Sequence, residues 1–100
     1  MWRGWVSTER VGEYVDYVSR TGLAEYRGTP GNLGAEMWTR EVGDGRSEVT
    51  TLSWWESLDA IRGFAGGDDI DRAVFYPEDD EYLIDRETTV THHEVAKRLR

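Results

Sequence analysis

Ala35-Glu36-Met37-Trp38-Thr39-Arg40-Glu41-Val42-Gly43-Asp44-Gly45-Arg46-Ser47-Glu48-Val49-Thr50-Thr51-Leu52-Ser53-Trp54-Trp55 holds two alternating runs around a glycine-rich turn. A strand sends successive side chains to opposite faces. Residues 35–42 therefore place Ala35, Met37, Thr39 and Glu41 on one side, and Glu36, Trp38, Arg40 and Val42 on the other. Gly43-Asp44-Gly45 supplies residues that tolerate the positive backbone angles of a hairpin turn. Residues 48–55, rich in Val, Thr, Leu and Trp, read as the returning strand. Val49, Thr51, Ser53 and Trp55 face one way; Thr50, Leu52 and Trp54 face the other. Both faces carry apolar groups, the pattern of a sheet covered on both sides.

Working outward, residues 2–6 are short and aromatic and read as a first strand. Ser7 or Thr8 can cap a following helix, and Glu9 suits its positive end. Val11, Tyr14, Val15 and Val18 fall on one helical face, and Gly22 is a natural stop. Residues 23–34 contain the turn cluster Gly28-Thr29-Pro30-Gly31-Asn32. Beyond the hairpin, Ser57 caps a second helix with the stripe Leu58, Ile61 and Phe64, ended by Gly66-Gly67. Asp68 or Asp69 caps a shorter helical piece over residues 70–76, which Pro77 stops. Glu78-Asp79-Asp80-Glu81 reads as a solvated acidic turn, and residues 88–95 as the last strand. The order strand, helix, hairpin, helix, strand predicts an α+β, ferredoxin-like βαββαβ fold with a four-stranded antiparallel sheet. Helices would cover one face. A second copy of the chain, in a two-fold contact, is the simplest cover for the other.

The 100 residues make one domain, 1–100. Twenty acidic against 12 basic residues give a net charge of −8, which would repel a nucleic-acid backbone or an anionic membrane. Only the tail, with Lys97, Arg98 and Arg100, is locally basic. The absence of cysteine excludes disulfides, thiolate metal sites and cysteine catalysis. No apolar run approaches the ~20 residues of a membrane span. Met1-Trp2-Arg3-Gly4-Trp5 does not form a signal peptide, so a cytoplasmic protein is expected. Five Trp, five Tyr and two Phe in so short a chain predict an aromatic core, pocket lining or subunit interface.

Several motifs come in a familiar order. They are Trp2-Arg3-Gly4-Trp5, Pro30-Gly31-Asn32 with Gly34-Ala35, Arg40 with Gly43-Asp44, and Ser53-Trp54-Trp55-Glu56-Ser57. Ile61 with Phe64-Ala65-Gly66, Tyr76-Pro77-Glu78-Asp79-Asp80, and Val90 with His92 follow. Together they resemble the antibiotic biosynthesis monooxygenase domain family, a branch of the dimeric α+β barrel superfamily. The resemblance implies a homodimer whose sheets pack into a barrel, with a pocket between helices and sheet in each subunit. It also implies a cofactor-independent monooxygenase acting on a hydrophobic aromatic or polyketide-like molecule. In such enzymes the ionised substrate itself reduces O₂, while the protein supplies an apolar pocket, a proton acceptor and anion-stabilising donors. Haem-degrading relatives use an Asn, Trp and His set. Here those positions hold Trp2, Phe64 and a residue near Phe75 or Tyr76, so haem degradation is not expected. Other members of the superfamily isomerise, dehydrate or decarboxylate, so the alternatives are a non-oxidative isomerase, cyclase or dehydratase in the same pocket, or a non-catalytic ligand-binding or scaffold dimer.

The candidate residues carry a functional and a structural reading each. His92, at the family's recurring position, is the preferred general acid or base; an imidazole titrates near neutrality. Structurally it is a hydrogen-bonded or interface histidine. Neighbouring His93 would face the other way on a strand. Arg40 would steady an anionic oxygen, or instead pair with Glu48 across the hairpin. Arg3 is expected to stack on an indole. Tyr76 would bring a hydroxyl to the pocket. Trp2, Trp38, Trp54, Phe64 and Phe75 are candidate substrate contacts as well as packing residues. The acidic runs lack the spacing and central Gly of a calcium loop. No dinucleotide fingerprint, phosphate loop or nucleophile elbow is present, so neither a metal nor a bound cofactor is expected.

Overall fold

The computed structural model describes residues 1–99; Arg100 of the basic tail lies outside them. The chain forms β1 (Trp2–Ser7), a 3-10 turn (Thr8–Arg10), α1 (Val11–Arg20), α2 (Gly22–Gly28), β2 (Asn32–Gly43) and β3 (Arg46–Trp55). Then come α3 (Leu58–Ala65), the single turn α4 (Asp79–Tyr82) and β4 (Leu83–Arg86). The four strands pair antiparallel in the order β2-β3-β1-β4. This α+β arrangement is compatible with a ferredoxin-like fold.

The hairpin follows its alternation. Met37 pairs with Thr51 and Ala35 with Ser53 on one face; Trp38 pairs with Thr50 and Arg40 with Glu48 on the other. Its turn takes positive φ at Gly43, Asp44 and Gly45 (94°, 55° and 71°), as a tight reversal between strands requires. In β1 the buried residues alternate as Trp2, Gly4 and Val6. These three oppose Thr51, Val49 and Ser47 of β3. The core forms where this face meets α1: Val6, Val49, Tyr14 and Tyr17 are almost fully enclosed. Burying each such side chain contributes about 1.5–3 kcal/mol. Arg3, Trp5, Trp38, Arg40 and Glu48 lie on the opposite face, away from this core.

Four local expectations change. The first helix ends at Arg20 as foreseen, but the chain resumes as α2 at Gly22, and only Thr29, Pro30 and Gly31 form the turn. Residues 70–76 are not helical. Residues 88–95 are not a strand of the sheet, because the place beside β1 belongs to β4. These two segments instead bond to each other. Ala73 N–H donates to the Thr88 carbonyl at 3.0 Å, and Val90 N–H donates to the Asp71 carbonyl at 2.8 Å. Thr91 N–H reaches the Met1 carbonyl at 3.0 Å, which ties the closing segment to the start of β1. The fourth change is the acidic run. It forms α4, and Asp79 is 5% exposed rather than solvated.

A candidate functional site between helices and sheet

A cavity of about 440 Å³ lies between the helices and the sheet. That falls within the roughly 300–1,000 Å³ range of ligand sites. Part of its wall comes from α3. Ser57 caps this helix by accepting the Ala60 N–H at 3.2 Å, and Gly66 ends it at φ 76°. Between the two caps, Leu58, Ile61 and Phe64 reach the cavity, as their spacing predicts. Phe64 meets Tyr26 of α2 at 4.5 Å between ring centroids, and Tyr26 meets Trp55 edge-on at 5.6 Å. Trp55 Nε1 is satisfied by donating to Ser53 Oγ at 2.8 Å, so the indole is fixed in the wall. On another side, Trp2 and Phe75 pack edge-to-face at 6.0 Å. Trp2 Nε1 donates to the Glu87 carbonyl at 2.6 Å.

Against this aromatic lining stand a few polar groups. Asp79 borders the cavity and its Oδ2 accepts the Tyr76 N–H at 2.7 Å. Burial pushes its carboxyl above the ordinary carboxylate range; the Tyr76 N–H, the Tyr17 hydroxyl and Arg86 offset this only in part. The Tyr17 and Tyr76 hydroxyls are buried with no hydrogen bond of ordinary geometry. Burial first, then the Asp79 charge, pushes the Tyr17 phenol up to about 12. Burial and the Glu25 carboxylate push Tyr76 higher still. Both tyrosines therefore stay protonated donors at neutral pH. His92 and His93 both border the cavity, because their segment is not a strand and does not send them to opposite faces. His92 Nε2 lies 2.8 Å from the Ile70 carbonyl, so it carries the hydrogen and leaves Nδ1 as the acceptor. Asp71 Oδ1 stands 3.5 Å from the same nitrogen.

The candidate residues divide between the two sides of the sheet. Trp2, Phe64, Phe75, Tyr76 and His92 come together around the cavity. Trp54 touches it too, although alternation turns its side chain to the other face. Trp38 is 52% exposed on that other face and donates Nε1 to Glu36 Oε1 at 3.1 Å. Arg40 is there as well, holding Glu48 through Nη2 at 3.1 Å and Nε at 3.3 Å. Arg3 stands 5.8 Å from the Trp5 ring and also binds Glu87 at 3.0 Å. Asp79 and Tyr26 are cavity residues that the sequence reading did not single out. The available signal for Asp79 was the Tyr76-Pro77-Glu78-Asp79 turn, in which an Asp readily folds back onto backbone N–H groups.

Among the described residues no three His, Asp or Glu side chains gather as a metal-ligating group. No helix of the described chain is long and apolar enough to cross a membrane. Neither a family model nor a characterised protein matches the chain.

Proposed function

We propose that the protein binds a hydrophobic, aromatic small molecule in the cavity between helices and sheet and acts on it without a bound cofactor. The observation that carries this reading is the aromatic cavity of about 440 Å³, bordered by a few acid–base groups. The resemblance of the motif order to that of antibiotic biosynthesis monooxygenases supports an oxidative reaction, in which an ionised substrate passes electrons to O₂. His92 supports the proton-moving role, since Nδ1 is left as an acceptor once Nε2–H is given to Ile70. Tyr76 supports the donor role with its unpartnered hydroxyl. Arg40 has no part in this version of the site, since it is paired with Glu48 on the other side of the sheet. The same resemblance supports a homodimer joined through the open sheet face, where Trp38 is half exposed.

The test is turnover of a panel of polycyclic phenols in air and under nitrogen. Product that requires O₂, and that falls at least about a hundredfold in His92→Ala, is expected for general base catalysis. Product formed equally without O₂ would move the protein to the isomerase, cyclase or dehydratase class. Full turnover in His92→Ala would remove that residue from the chemistry.

A further inference from the structure

We propose that Asp79 is the anchoring acceptor of the cavity, taking a hydrogen bond from a hydroxyl group on an otherwise apolar aromatic ligand. The inference rests on the binding reading above and adds the group by which the ligand is oriented. Three observations meet at this residue. It lies in the wall of the cavity, between Tyr76 and the tyrosines of α1. It is almost fully enclosed, while its neighbours Glu78, Asp80 and Glu81 are exposed, so the site is one side chain and not the acidic run. Its described hydrogen bond uses Oδ2 alone, to Tyr76 N–H. Beside it the Tyr17 hydroxyl, 2% exposed as a residue, stands near enough to stabilise the Asp79 carboxylate but makes no hydrogen bond of ordinary geometry. Buried polar groups are almost always satisfied, and a shortfall marks a missing partner. A carboxyl in an apolar wall favours a donor on the ligand over an apolar or acceptor-only group, because the groups already around it repay its desolvation only in part. Arg86, the nearest cation, is turned to Asp80 and to the face of Phe75, 4.7 Å from the ring centroid.

Three probes of one shape test this: naphthalene, 2-methoxynaphthalene, which accepts but cannot donate, and 2-naphthol, which donates. Binding is read by quenching of tryptophan fluorescence, since Trp2 and Trp55 form part of the wall. The native protein is expected to bind 2-naphthol about tenfold or more tightly than the ether, the worth of a hydrogen bond to a carboxylate. Asp79→Leu should erase that preference while keeping affinity for the ether. Asp79→Asn, which still accepts the Tyr76 N–H, should reduce it and guards against a folding defect in the leucine variant. Equal binding of ether and naphthol by the native protein, or an undiminished preference in both variants, would overturn the anchor and leave the cavity reading standing. Binding of none of the three probes would overturn both.

Discussion

At the Asp79 carboxyl, burial and charge oppose each other. Facing it are Tyr14 and Tyr17 from α1, the Tyr76 N–H, Asp80 in α4 and Arg86 from β4. The balance leaves the folded-state pKa above the ordinary 3.8. The folded protein therefore holds this proton more tightly than the unfolded chain, and the contribution to stability is complete at low pH. It is lost as pH rises through the raised folded value. Asp79→Asn should consequently gain stability relative to the native protein between about pH 3 and about pH 7. Urea midpoints of the two proteins across that range check it; a difference that is flat with pH would refute it. Glu87 behaves in the opposite sense. Its hydrogen bond to Arg3 lowers its pKa, so its contribution is present above the ordinary carboxylate value and is lost as pH falls through the lowered one. Tyr76 gives a third test at this scale. Its buried hydroxyl makes no hydrogen bond of ordinary geometry and only the Glu25 carboxylate stands near it, so Tyr76→Phe in the ligand-free protein should change stability by no more than about 1 kcal/mol in chemical denaturation.

Local rules account for some elements and not for others. The hairpin and α3 were legible because alternation, turn glycines, the Ser57 cap and the Leu58, Ile61, Phe64 stripe all act within a few residues. Ser57→Ala should cost about 1 kcal/mol of stability, measured by the shift of the urea midpoint. Gly31 is more sensitive. It sits at φ 88°, and a β-carbon there would stand 2.5 Å from Ala60 Cβ, so the turn before β2 is locked against α3. Gly31→Ala should cost about 2 kcal/mol or more, and refolding yield with urea titration reads it. Residues 70–76 and 88–95 were illegible for a different reason. Each borrows its hydrogen bonds from the other, 17 positions away at the Arg72–Thr89 bridge, and neither pattern alone discloses the exchange. Their pairing leaves β4 beside β1, and it brings both His92 and His93 to the cavity instead of splitting them across a sheet. Asp79 was missed because a run of four acidic residues reads as solvated charge, and only the turn after Tyr76 folds the second of them inward.

For the molecule as a whole, the sheet separates two surfaces with different chemistry. One side encloses the aromatic cavity and its few polar groups. The other is open and carries Trp5 and Trp38 between the ion pairs Arg3–Glu87 and Arg40–Glu48. If that face is the proposed dimer contact, Trp38→Glu should convert dimer to monomer in sedimentation equilibrium, and an unchanged mass would place any contact elsewhere. The two-sided account is tested most directly by the five tryptophan indole N–H signals in a proton–nitrogen NMR spectrum, recorded while 2-naphthol is added. The Trp2 and Trp55 signals should move together and saturate, while those of Trp5 and Trp38 stay in place. Movement confined to Trp5 and Trp38, with Trp2 and Trp55 unmoved, would show that the ligand-binding surface is the open sheet face and not the cavity.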